Sequence, residues 1–366
     1  MLPHKNGFEI LRKIRTSAIP TKVIMLTAKS ELDDKLTGFA TGANVTLKNI
    51  TVETSATGAN GIFSYGGSAT TENTTSDNTT ITISDSTITT TKDNSGGIMT
   101  IGGGIMKASN LTINTAGTSS AAIRTDRGGG TVTVDGGTYT TTGTGSPTIY
   151  STADITVSNA TLNSSASEGI VIEGKNSITL NNVKLTDTNN KLNGKSTTYK
   201  NIFIYQSMSG DASTGTATFT AKDSTITTNK GATIYVTNTK ALINLTNNTF
   251  ENNDKTGAFL RIEEGPWGTS GSNGGEVTLN ATNQNITGDI YVDVSSTLEL
   301  NMTASSYEGS INNSNTAKKI SLKLDKDSSL ILKADTYLTT LEDADSSYSN
   351  INFNGYKLYV NGIAIN

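Results

Sequence analysis

From residue 44 onward the sequence predicts an all-β chain wound as a parallel β-helix, a solenoid. A short α/β fragment of helix–strand–helix type precedes it over residues 1–43. Three observations predict this division. Thr supplies 64 of the 366 residues, against 36 Gly and only 4 Pro, and β-branched Thr suits a pleated, half-exposed surface. An alternating strand ending in a polar turn, then Thr and an apolar residue, returns again and again. A second, often Gly-led apolar position follows most of these returns at a fixed distance. A mucin-like disordered stalk would share the Ser/Thr content, but regularly placed Ile, Leu and Val and scarce Pro argue against it.

Within residues 1–43, "NGFEILRKIR" sets Phe8, Leu11 and Ile14 on one face, with its Lys and Arg toward the C-terminal end. That is an amphipathic helix with favourable macrodipole placement. "KVIMLTA" (22–28) is a continuous apolar run of buried parallel-strand type. "SELDDKLTGFATGA" then offers Ser30 as N-cap and Leu32, Leu36 and Phe39 at helical spacing. Taken with Leu2-Pro3, Gly7 and Gly42-Ala43, this order resembles the middle of a response-regulator receiver domain. The resemblance implies a phosphoacceptor Asp three residues before the Leu of that Leu-Pro, a position upstream of Met1. The acidic pair that would hold Mg²⁺ is missing too, so Thr27 matches a phosphoryl-sensing hydroxyl with nothing to sense. A vestigial response regulator lacking its phosphoacceptor is the reading this allows; a docking or dimerisation surface, a recombination or gene-calling remnant, and a solenoid cap faced by Leu32, Leu36 and Phe39 are the others.

The repeat begins at Val45. In order it reads "TLKNITV", "TISDSTI", "KASNLTI", "TVDGGTY", "TVSNATL", "TLNNVKL", "TAKDSTI" and "NLTNNTF". The last residues are Val52, Ile88, Ile113, Tyr139, Leu162, Leu185, Ile226 and Phe250, spaced by 36, 25, 26, 23, 23, 41 and 24. The two long spacings contain polar insertions. Ten residues after six of these anchors come Ile62, Ile98, Ile123, Ile149, Ile172 and Leu260, in strands such as "GIFSYG" and "GIVIEG". A period in the low-to-mid twenties with no helical half is one coil of a parallel β-helix. About a dozen coils at about 4.8 Å each would make a rod of about 60 Å. Beyond residue 275 the alternation persists while the period blurs, as C-terminal coils.

This grammar over 44–366 resembles the right-handed β-helix proteins of the pectin-lyase-like superfamily, and more closely Thr/Asn-rich surface or secreted proteins of anaerobic gut bacteria. The resemblance implies an extracellular or cell-surface location. Residues 1–20 read as lacking a signal-peptide h-region, which keeps a cytoplasmic location open. Polysaccharide cleavage is common on the fold, so a lyase or hydrolase is the alternative function. The Asn-Thr-Asp, Asp-Asp, Gly-His-Gly and Arg-Ile-Lys signatures of polygalacturonase-type hydrolases are absent from the repeat, and the single histidine is His4. Asp126, Glu168, Glu173, Glu263 and Glu264 are scattered carboxylates without a compelling pair.

The strongest local candidate is "AIRTDRGGG" (121–130), where Arg124 and Arg127 flank Asp126 in a chain with five Arg. Coils in register would align Arg124 with Phe63, Met99, Tyr150 and Glu173 on an outward face, a shallow groove for a sugar or peptide. The bland reading is an Arg–Asp–Arg cluster compensating charge at a Gly-rich turn. Trp267, the single Trp, lies in "EEGPWGTSGSNGG" and reads as an exposed sugar-stacking platform or as a ring packed back over the coil.

The Asp-rich "SLKLDKDSS" and "LEDADSS" lack the Gly and Glu of a calcium loop, so calcium is left open without support. Net charge is −4 with no basic stripe, against a nucleic-acid partner. No Cys is present, which excludes disulfides and thiolate metal sites, and no run nears the roughly 18 apolar residues of a membrane span. The expectation is a non-enzymatic β-helix of surface or secreted type, an adhesin, stalk or glycan-binding module, whose partner is a glycan or a host or cell-surface protein.

Overall fold

The structure is a computed structural model and describes residues 44–66 and 79–366. The helix–strand–helix expectation for 1–43 lies outside the described residues. Among the described residues every regular element is a β-strand. The strands stack as long parallel ladders, the arrangement of a β-solenoid.

One coil shows how the sequence makes the shape. Asp154–Ser158 runs into a bend at Asn159, Thr161–Ser164 follows, and a turn leads to Ile170–Glu173. Alternation points Ile155, Val157 and Leu162 inward, each at most 1% exposed. The first two strands of successive coils build a broad 18-stranded sheet; the third builds a narrow sheet of nine strands, from Ile62–Tyr65 to Ile290–Val292.

All seven steps between the sequence anchors are register pairs of the broad sheet: Val52 with Ile88, Ile88 with Ile113, and so on through Tyr139, Leu162, Leu185 and Ile226 to Phe250. In the second register Ile62, Ile98, Ile123, Ile149 and Leu260 stand in the narrow sheet's inward column, but Ile149 pairs with Ile170 rather than Ile172. The turn after Leu162 is two residues shorter than expected. A slip of two keeps every side chain on its own face, so alternation alone cannot detect it. As a consequence Val171, not Glu173, lies in register with Tyr150.

The polar turn of the repeat has a specific cause. Asn49, Asp85, Asn110, Asn159, Asn182, Asp223, Asn247 and Asn283 all adopt left-handed φ between 48° and 54°, a region open at low cost chiefly to Gly, Asn and Asp. Their side chains also link coils: Asn110 Nδ2 donates to Asp85 Oδ1 at 3.0 Å, Asn182 to Asn159 at 2.8 Å and Asn247 to Asp223 at 2.7 Å.

A second column faces inward at the next corner: Thr54, Thr90, Thr115, Thr141, Ser164, Asp187, Thr228 and Asn252. Several members close the following turn, as when Thr115 Oγ1 donates to the Ser120 carbonyl at 2.6 Å and Ser164 Oγ to that of Ser167 at 3.1 Å. Asp187 is the one carboxylic acid in the column.

The C-terminal coils shorten. Leu279, Leu300, Leu322 and Leu341 pair in turn at spacings of 21, 22 and 19 residues, which is why the period blurs in the sequence. Ile363–Ala364 folds back antiparallel on Leu358–Val360, covering one strand edge of the last coil.

Candidate functional site

The narrow sheet differs from the broad one on its outward side. Its outward column reads Phe63, Met99, Arg124, Tyr150, Val171, Phe203, Tyr235, Arg261 and Tyr291. Five of the nine are aromatic and two are Arg, in a chain only 6% aromatic. Val171, Phe203 and Tyr235 are buried on this outer side, forming a small second core with Tyr150, Tyr205 and Trp267 around them. Excursions from the coils cover it, for no sheet face as apolar as this stays bare at low cost.

The coil from Leu185 to Ile226 is the longest, and its extra length lies in two excursions, 188–199 and 206–215, on either side of Lys200–Tyr205. These wall a cleft of about 250 Å³ lined by Asn94, Arg124, Asp126, Tyr150, Asn193, Tyr205 and Asp211, among others. Asn193 comes from the first excursion and Asp211 from the second. The second is pinned at both ends: Asn238 Nδ2 donates to the Gln206 carbonyl at 2.8 Å, and Lys175 N to that of Ser213 at 2.9 Å.

Charges in the cleft are paired. Arg124 Nη2 donates to Asp126 Oδ2 at 2.6 Å, while its buried Nε has no partner. Arg127 Nε donates to Asp211 Oδ1 at 2.5 Å. Partial burial pushes the Asp211 carboxyl up, but hydrogen bonds from Arg127 and Ser209 outweigh it and hold it below its ordinary value.

Glu173 is 1% exposed and accepts from the hydroxyls of Tyr150, Ser207 and Tyr205, the last at 3.3 Å. Ser209 Oγ bridges this carboxylate and Asp211, at 3.4 and 2.9 Å. Burial, then the neighbouring Tyr205 and Glu173, push the Tyr150 phenol well up, so it stays a donor.

Arg124, Asp126 and Tyr150 thus line one cleft, Glu173 anchors the wall beside them, and Arg127 holds the rim through Asp211. Trp267 stands apart from the cleft lining. Its half-buried ring packs 5.1 Å from Phe203 and 5.1 Å from Tyr205, so Tyr205 touches both the cleft and the aromatic cluster. Tyr205, Asn193 and Asp211 escaped the sequence reading. The 41-residue spacing did mark the insertion, but nothing in it says where a polar loop folds back.

The scattered carboxylates are all engaged: Glu168 lies 3.3 Å from Lys200 Nζ, Arg261 grips both oxygens of Glu263 at 3.0 and 2.9 Å, and Glu264 accepts from Ser295 and the Gly271 amide. Among the described residues no group of three or more His, Cys, Asp or Glu is arranged to hold a metal ion.

Comparison with known proteins finds likeness only over a short stretch. No family model matches, and no solved structure does. A 44-residue segment is 52% identical to the transcriptional regulatory protein CiaR of Streptococcus pneumoniae, covering 12% of this chain and 20% of that protein. A 44-residue segment is 48% identical to the uncharacterized transcriptional regulatory protein YkoG of Bacillus subtilis, covering 12% and 19%. The chain therefore spans about a fifth of the length of the curated relatives it matches.

Proposed function

We propose that this chain is a non-enzymatic, right-handed β-helix of the pectin-lyase-like kind, a surface or secreted module whose narrow-sheet face binds a glycan. A receiver-like fragment at 1–43 joined to a solenoid from residue 44 is the domain division that goes with it. One observation carries the reading. The aromatic residues and paired charges gather on a single outward face, beside a cleft walled by the longest coil's excursions.

A sugar offers hydroxyls to the Arg124–Asp126 pair and C–H faces to aromatic rings, the usual division of labour in such sites. Cleavage is less well supported, since general acid–base hydrolysis needs two carboxyl groups free to exchange protons and each candidate here is tied to a partner. Transcriptional regulation, the activity in the relatives' names, is not carried over from a shared 44 residues.

The test is a glycan array probed with the full chain and with Arg124→Ala and Trp267→Ala. Selective binding that Arg124→Ala removes is expected. A folded chain that binds no glycan, or binds equally well without Arg124, would sink the proposal and turn the search to protein partners.

A further inference from the structure

A second polar cluster plays no part in the cleft. Lys200, Glu168 and Asp187 are 1%, 7% and 0% exposed; among the described residues Glu173 is the only other buried Asp, Glu, Lys or Arg. Lys200 Nζ lies 3.3 Å from Glu168 Oε1 and donates to Ser196 Oγ and to the Thr198 carbonyl, the latter at 2.9 Å. Phe203, Tyr235 and Trp267 close over it, with ring centroids 4.3, 5.3 and 5.9 Å from Nζ. Glu168 Oε2 accepts from Ser167 Oγ at 2.9 Å. Asp187 Oδ1 accepts from the Asn189 amide at 3.1 Å, and its Oδ2 has no partner.

Two carboxyl groups and one ammonium held away from water are costly. Burying each ion costs several kcal/mol, which attraction recovers only in part. Elsewhere the column of Asp187 uses neutral Thr, Ser and Asn. The cluster is therefore an expense that the repeat does not require, and it sits where two coils meet.

We propose that Lys200 and Glu168 become joined by an intramolecular amide between Nζ and Cδ. The ion pair first shifts its proton internally, leaving a neutral amine and a carboxylic acid. The Nζ lone pair attacks Cδ, the C–N bond forms and the C–OH bond breaks. The departing hydroxide takes a proton from nitrogen and leaves as water. No oxidant, nucleotide or metal is consumed. Burial favours this course because it lowers the Lys200 ammonium toward its neutral form, against the opposing pull of Glu168, and the product carries no charge. Burial, then the charge of Glu168, push the Asp187 carboxyl well up, toward its neutral form. Fixed contact between the two reacting groups replaces a bimolecular encounter.

The bond would tie the turn before Ile170–Glu173 to the start of Lys200–Tyr205 in the next coil, closing the stack where the two excursions interrupt it. This inference is independent of whether the cleft binds a glycan.

Denaturing intact-mass measurement of the purified full chain, after prolonged incubation at neutral pH, tests it. The expected mass is one water below that of the sequence, and proteolysis should release one branched peptide joining Lys200 to Glu168. Lys200→Arg is expected to restore the full mass. A folded wild-type chain at full sequence mass would overturn the proposal and leave a buried ion pair. A one-water loss that persists in Lys200→Arg would overturn it as well. The wild-type measurement stands even where the variant fails to fold.

Discussion

The broad and narrow sheets belong to the same coils and obey the same alternation, yet their outward faces could hardly differ more. On the broad sheet outward positions read Thr87, Thr89, Thr112, Asn114, Thr138 and Thr140, coil after coil. On the narrow sheet the matching column holds Arg124, Tyr150, Phe203, Tyr235, Arg261 and Tyr291. A repeated polar face asks only that neighbouring strands fit. An irregular aromatic and cationic face needs its own covering, which the excursions at 188–199, 206–215 and 263–274 supply. The inward side sets the architecture of both sheets; the outward side of one sheet gathers the aromatic and cationic residues.

Substitutions that separate the two roles sharpen this contrast. The largest effect is expected inside: Leu162→Ala, at a fully buried anchor, should cost about 2–5 kcal/mol in chemical denaturation, while Thr161→Ala beside it stays within about 0.5 kcal/mol. Comparable losses at the two positions would undo the distinction between faces.

Next comes the bend. Asn182, at φ 52°, is expected to lose about 1–2 kcal/mol as Val, which resists a left-handed backbone, and far less as Gly. Equal stability of the two variants would mean that the ladder, not the backbone, selects Asn.

On the narrow face, Trp267→Ala removes tilted and edge-on contacts with Phe203 and Tyr205, for about 1 kcal/mol of stability. A near-UV dichroism spectrum unchanged by that substitution, apart from the indole's own bands, would show the cluster is not held by the ring.

The smallest effect is one of slope. Asp187's folded-state pKa is raised above the ordinary 3.8 by burial first and by Glu168's charge second. Its stabilising contribution is complete below the unfolded value and is lost as pH rises through the raised one. Asp187→Thr, the residue found at Thr115 and Thr228 in the same column, is expected to flatten that fall. Melting curves of wild type and variant that run parallel from acid to alkaline pH would contradict it.

Much of the solenoid was legible because its signal is redundant. Each anchor from Val52 to Phe250 is fixed twice, by inward alternation and by the Asn-, Asp- or Gly-containing bend before it. Ile170 was not legible, since Ile172 satisfies the same alternation two residues on and only three-dimensional closure of the turn decides between them. The cleft was half legible. Arg124 and Tyr150 share a strand register that spacing reveals, whereas Asp211 reaches Arg127 from an excursion 84 residues away in sequence. Trp267 belongs to the same class: composition marked the loop as unusual, but only packing tells that its ring rests on Phe203 rather than standing in water. Nothing in the linear pattern singled out Lys200, whose burial depends on Phe203, Tyr235 and Trp267 meeting over it.

The central claim is that recognition belongs to the narrow face. The most direct measurement compares glycan-array profiles of the full chain with two double variants. One carries Arg124→Ala with Tyr150→Ala on the narrow face; the other carries Thr138→Ala with Thr140→Ala on the broad face. Binding abolished by the first pair and unchanged by the second is the predicted result. Binding that survives the narrow-face pair, or falls only with the broad-face pair, would contradict the assignment.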